Sequence, residues 1–64
     1  MKPAKGEELR LAVDRGGARC QRRVYYPGIG LAACGLPAGL AVQAEAGGMA
    51  SARCEAHYRD EVRS

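Results

Sequence analysis

The chain has 64 residues, a formal net charge of +3, three tyrosines and neither phenylalanine nor tryptophan. A chain this short has room for one domain and buries too small a share of its surface for packing alone to stabilise it comfortably. Much of its apolar content is alanine, worth little at roughly 25 cal/mol per Å² buried, so a disulfide, a metal or oligomerisation has to supplement the core.

Residues 1–6, with Lys2, Lys5, Pro3 and Gly6, show no apolar periodicity and read as a flexible basic tail ahead of a single domain at 7–64. Leu9, Leu11 and Val13 alternate with Arg10, Ala12 and Asp14, the period-2 pattern of a half-buried strand, and Arg15-Gly16-Gly17 turns the chain. A second strand is expected over 19–26, with Arg22, Val24 and Tyr26 on one face and Arg23 and Tyr25 on the other. Pro27-Gly28 ends it, and the Gly- and Pro-rich stretch from Ile29 to Pro37 predicts no regular element. Leu40, Val42, Ala44 and Ala46 alternate with Ala41, Gln43 and Glu45 before Gly47-Gly48, which predicts a hairpin closed by a two-residue turn and returning through Met49 to Arg53. From Glu55 to Arg63 the composition suits a short C-terminal helix with Tyr58 and Val62 on one face, Glu55 near its start and Arg59 and Arg63 toward its end.

No charged residue lies between Arg23 and Glu45, but Gly28, Gly30, Gly35, Pro37 and Gly39 interrupt that run, which argues against a membrane span. An odd number of cysteines and an N-terminus without a signal-like apolar run point to a reducing, cytoplasmic setting. There, clustered Cys and His are more often metal ligands than disulfide partners. Arginine outnumbers lysine eight to two and Ala and Gly are abundant, a composition compatible with a GC-rich bacterial or phage genome; a phage-encoded chain would be associated with the virion.

Cys54 and His57, separated by two residues at a predicted strand-to-helix junction, place both side chains around the first helical turn and form a chelating half-site. Structural zinc takes four N or S ligands, and three cysteines with one histidine complete that set, giving Cys20, Cys34, Cys54 and His57 around one structural Zn²⁺. Gly35 after Cys34 lets the backbone turn beneath the metal and aim amides at a thiolate.

Cys34-Gly35-Leu36-Pro37-Ala38, a hairpin and Cys54-Glu55-Ala56-His57 leading a helix together resemble a treble-clef zinc finger, and small bacterial and phage proteins of that kind. The resemblance covers about residues 20–63 and implies a small α+β, zinc-stabilised domain of β-hairpins plus a short C-terminal helix. Cys20 and Cys34 would then be the knuckle ligands, and Cys54 and His57 the helix ligands. The knuckle pair is usually separated by only a few residues, whereas here it brackets Val24 to Ala33. A water, a partner residue or a carboxylate such as Glu61 is therefore an alternative to Cys20.

Four filled ligand positions leave no open coordination site, and there is no HExxH, P-loop or second histidine, so the chain is expected not to be an enzyme. The expected role is a protein-interaction or accessory subunit of a larger assembly, protein or nucleoprotein, docking through Ile29, Leu31 and Leu36. The alternative is direct DNA or RNA binding by Arg15, Arg19, Arg22 and Arg23 with Tyr25 and Tyr26 beside them. The sequence leaves oligomeric state open.

Overall fold

The computed structural model describes residues 1–63. In chain order it contains β1 (Lys2–Pro3), α1 (Gly6–Arg15), β2 (Arg23–Tyr26), β3 (Gly30–Ala33), β4 (Leu40–Gln43), β5 (Ser51–Arg53) and α2 (Glu55–Val62). The result is a small α+β fold with two helices and two antiparallel sheets, one of order β1-β4-β5 and one formed by β2 and β3.

Residues 6–15 are a helix, not the strand that the alternation of Leu9, Leu11 and Val13 predicts. Leu9 and Val13 are also four apart, so the same residues fit one helical face, and Ala12 completes that face by being fully buried. Leu11, which a strand would have turned inward with Leu9, is exposed. Glu7 and Glu8 in the first turn and Arg15 in the last complement the helix dipole, and Arg10 bonds Glu7 and Asp14 across successive turns. The helix stops at Gly16, whose amide donates to the Ala12 carbonyl at 3.0 Å. A Cβ at Gly16 would sit 3.2 Å from the Arg19 carbonyl oxygen and 3.3 Å from that of Ala12, so any side chain there would crowd the turn.

The basic N-terminal segment is tied down as well, correcting its reading as a loose tail. Lys2 pairs with Gln43 and Pro3 with Val42, and the Ala4 amide donates to the Ala41 carbonyl at 3.0 Å. Ala4 is buried in a cluster with Ala12, Ala41 and Ala50, against which Leu9 packs. The predicted hairpin is present as β4 and β5, with Leu40 opposite Arg53 and Val42 opposite Ser51. Its connection runs through residues 44–50 and is not a two-residue Gly-Gly turn. Ala44 and Ala46 have no apolar surface to cover and stay exposed outside the ladder. Strand alternation puts Ala41 on the side of α1 and Val42, itself fully buried, on the side of α2, so the three-stranded sheet carries a helix on each face. Among the described residues no helix is long and apolar enough to cross a membrane.

The stretch for which no element is predicted supplies β3. Arg23 pairs with Ala33, Val24 with Ala32, Tyr25 with Leu31 and Tyr26 with Gly30. The same pairing continues below β2 and β3, where Arg19 bridges Pro37 and the Ala38 amide donates to the Ala18 carbonyl at 2.9 Å. Residues 18–38 therefore form one antiparallel ribbon. Its outer part, β2 and β3, touches no other helix or strand among the described residues.

Candidate metal centre

The foot of the ribbon places two cysteines. The Cys20 amide donates to the Leu36 carbonyl at 2.8 Å, and the Cys34 amide to the Arg22 carbonyl at 2.8 Å. Cys20 and Cys34 are thus diagonal neighbours on one face, the relation that brings cross-strand side chains within reach of each other. Between them the ladder kinks at Gly35, whose φ is 76° and whose amide turns to the Cys20 carbonyl at 3.0 Å. The Gln21 amide donates to the Ala52 carbonyl at 3.0 Å, docking the ribbon's foot against β5. At the end of β5, Cys54 adopts extended backbone as the N-cap of α2, and the Tyr58 amide donates to its carbonyl at 2.8 Å. His57 follows within the first turn and faces back toward Cys54.

The three Sγ atoms and one imidazole nitrogen all lie within 4.8 Å of one another, so the group could hold a metal ion. His57 Nδ1 is 3.4 Å from both Cys20 Sγ and Cys54 Sγ, and Cys34 Sγ is 4.0 Å from Cys54 Sγ. A tetrahedral ion with bonds of about 2.3 Å to sulfur and about 2.0–2.1 Å to nitrogen would separate S from S by roughly 3.8 Å and S from N by roughly 3.5 Å. These three separations lie close to those edges, and the remaining ones are within 4.8 Å. All three cysteines are free thiols. Cys20 and Cys54 are buried with Ala38 and Ala52, whereas Cys34 and His57 are half-buried at the rim.

Burial opposes ionisation of Cys20, but backbone amides at Cys54 and Arg22 and hydrogen bonds with His57 and Cys54 outweigh it, bringing the thiol down to about 7. For Cys34 the Leu36 amide favours the thiolate, while burial and the neighbouring thiols disfavour it and raise its pKa overall. Thiolates gathered this closely repel one another, and a bound cation would balance their charge.

Glu61, the alternative to Cys20, is committed elsewhere. Its Oε2 accepts from Arg53 Nε at 2.8 Å and from Arg22 Nη1 at 2.7 Å. Burial alone would raise its pKa, yet the two guanidiniums hold the carboxyl below its usual range. This three-residue network joins the ribbon, β5 and α2 just outside the cysteine cluster. Sequence reasoning missed it because Arg22 and Glu61 are 39 residues apart. The one available signal was Arg53, a charge placed in a strand otherwise expected to be half-buried.

The residues put forward for nucleic acid do not share one face. Arg15 Nη2 donates to the Ala50 carbonyl at 2.7 Å, beside α1, and Arg22 is held by Glu61. Arg19 Nη1 donates to the Gly35 carbonyl at 3.0 Å while remaining exposed, and Arg23, Tyr25 and Tyr26 are exposed on β2. Alternation separates Arg19, Arg23 and Tyr25 from Arg22 and Tyr26. Of the apolar residues proposed for docking, Ile29, Leu31 and Leu36 are all exposed, with Ile29 at 78%. Ile29 and Leu31 lie together at the ribbon's tip, and Leu36 lies apart from them. Ile29 lies in the turn, Leu31 opposite Tyr25, and Leu36 opposite Cys20 on the other side. No family model matches the chain, and no curated protein or solved structure shows significant similarity to it.

Proposed function

We propose that the chain is a structural-zinc module, a non-catalytic accessory unit that joins a larger assembly through the ribbon its metal centre anchors. The observation that carries this reading is the convergence of Cys20, Cys34, Cys54 and His57, from three separate parts of the chain, with their donor atoms all within 4.8 Å of one another. Soft thiolates with one imidazole favour Zn²⁺ over the hard cations, and four protein ligands fill its coordination sphere, leaving no position for a substrate or an activated water. Three thiolates and Zn²⁺ carry a net charge of −1, which Arg22 beside the site complements. The order of parts, with a turn at Cys34-Gly35, the β4-β5 hairpin and then a helix presenting Cys54 and His57, supports a treble-clef-like arrangement whose knuckle has been drawn out into a ribbon. A cytoplasmic setting, where thiols stay reduced, suits three unpaired cysteines.

Native mass spectrometry of the protein as expressed tests this reading. One zinc per chain is expected, with the mass reduced by the protons displaced from the thiols, and Cys20→Ser should lose most of it. A parent chain free of metal, or full zinc occupancy in Cys20→Ser, would refute the four-ligand site.

A further inference from the structure

The ribbon has two unlike faces. One carries Cys20, Arg22 and Cys34 toward the metal centre and α2. The other, by the same alternation, carries Arg19, Gln21, Arg23 and Tyr25 in a row along one strand, all of them exposed. Same-face residues on a strand are spaced by about 6.8 Å, so the two arginines stand about 13–14 Å apart, with Tyr25 one step beyond. Opposite Arg23 is Ala33, too small to block approach, and opposite Tyr25 is Leu31, itself exposed.

Charge is segregated to match. Residues 15–44 contain four arginines and no carboxylate, whereas all seven carboxylates lie in the rest of the chain. The Arg19 guanidinium is already oriented by its bond to the Gly35 carbonyl, with its remaining donors free. Of the three exposed aliphatic residues, Leu36 lies on the other face, which leaves Leu31 opposite Tyr25 and Ile29 in the adjoining turn.

We propose that this outward face binds single-stranded nucleic acid, with Arg19 and Arg23 on phosphates and a base stacked on Tyr25. The inference rests on the metal-module reading for the rigidity of the ribbon, since an isolated two-stranded hairpin is at best marginally stable in water. Arginine donors contact phosphate without reading sequence, and an exposed tyrosine ring offers a surface to any unpaired base. A base within a duplex is already stacked, so Tyr25 selects single strands.

Fluorescence anisotropy of labelled 20-nucleotide DNA and RNA of mixed sequence, with a 20-base-pair duplex as comparison, tests the proposal on the zinc-loaded chain. Micromolar binding to single strands is expected, weakening about sevenfold from 50 to 200 mM NaCl for two phosphate contacts. Arg23→Gln should reduce the salt slope by about 0.7. Tyr25→Ala should weaken binding at least fivefold, with Tyr25→Phe within twofold of the parent. Arg59→Gln, an exposed charge on α2 paired with Glu55, should leave binding within twofold of the parent. Each variant is checked for one zinc per chain, so failure here is distinguishable from failure of the metal centre. No binding at 50 mM NaCl by a zinc-loaded chain overturns the proposal and leaves the ribbon to a protein partner. Equal affinity for the duplex, or full affinity in either Arg23→Gln or Tyr25→Ala, overturns it as well.

Discussion

Stripping the metal with a chelator should unfold the whole chain, including parts far from the cysteines. The buried apolar set consists of Ala4, Ala12, Ala38, Ala41, Ala50 and Ala52, with Val42, Cys20 and Cys54. Val42 is thus the only aliphatic side chain larger than alanine among them, and the two cysteines are candidate ligands. Structural zinc contributes on the order of 10–16 kcal/mol in small zinc-finger peptides, comparable to the entire 5–15 kcal/mol stability of an ordinary domain. Loss of even 10 kcal/mol moves the folding equilibrium by about seven decades, at roughly 1.4 kcal/mol per decade. Far-ultraviolet circular dichroism and amide proton dispersion, recorded with excess chelator and again after zinc is restored, measure the effect. The chelated chain should show no cooperative thermal transition, and zinc should restore both signals. An unchanged melt in chelator would show that the alanine core stands alone, and would remove the physical reason for the centre.

Three further expectations follow from individual contacts. Glu61→Gln should cost about 2–3 kcal/mol by leaving the Arg53 guanidinium, largely buried, without its counter-charge. Because the Glu61 pKa is lowered on folding, its contribution is present above the usual carboxylate range and lost as pH falls through the folded value. The stability gap between parent and Glu61→Gln, measured by denaturant unfolding at fixed free zinc, should therefore narrow on acidification; a gap that widens would refute the ion-pair assignment. Gly35→Ala should lower zinc affinity about tenfold in a competition titration with a chromophoric chelator, from about 1–2 kcal/mol of backbone strain. The nearest atom to its new Cβ would be 3.9 Å away, so the cost comes from the positive φ and not from a clash, and parental affinity would refute it. Val42→Ala should destabilise by about 2 kcal/mol, read as a lower denaturant midpoint with an unchanged slope.

The candidate site was legible where ligands and element boundaries coincide. Cys54-Glu55-Ala56-His57 sits at a strand-to-helix junction, and both the junction and α2 could be read from local composition. The β4-β5 hairpin was legible from alternation, but not its closing segment, because Gly47-Gly48 signals a turn without saying how many flanking alanines join it. The Leu9, Leu11 and Val13 pattern satisfied two periods at once, and the burial of Ala12 together with the exposure of Leu11 distinguishes them. β3 was obscured because Gly30 and Gly35, read as breakers, instead begin the strand and kink its lower end. Cys20 looked like the weakest ligand because spacing along the chain says nothing about a ribbon that folds back on itself.

The diagonal relation of Cys20 to Cys34 frees the metal from the length of chain between them. Adding one residue to each strand beyond the kink would leave both thiols where they are but would turn Tyr25 to the opposite face, since side chains alternate with a period of two. Adding two to each strand would extend the ribbon and restore every face. The thirteen residues between the two cysteines therefore set the reach of the ribbon independently of the cluster at its foot.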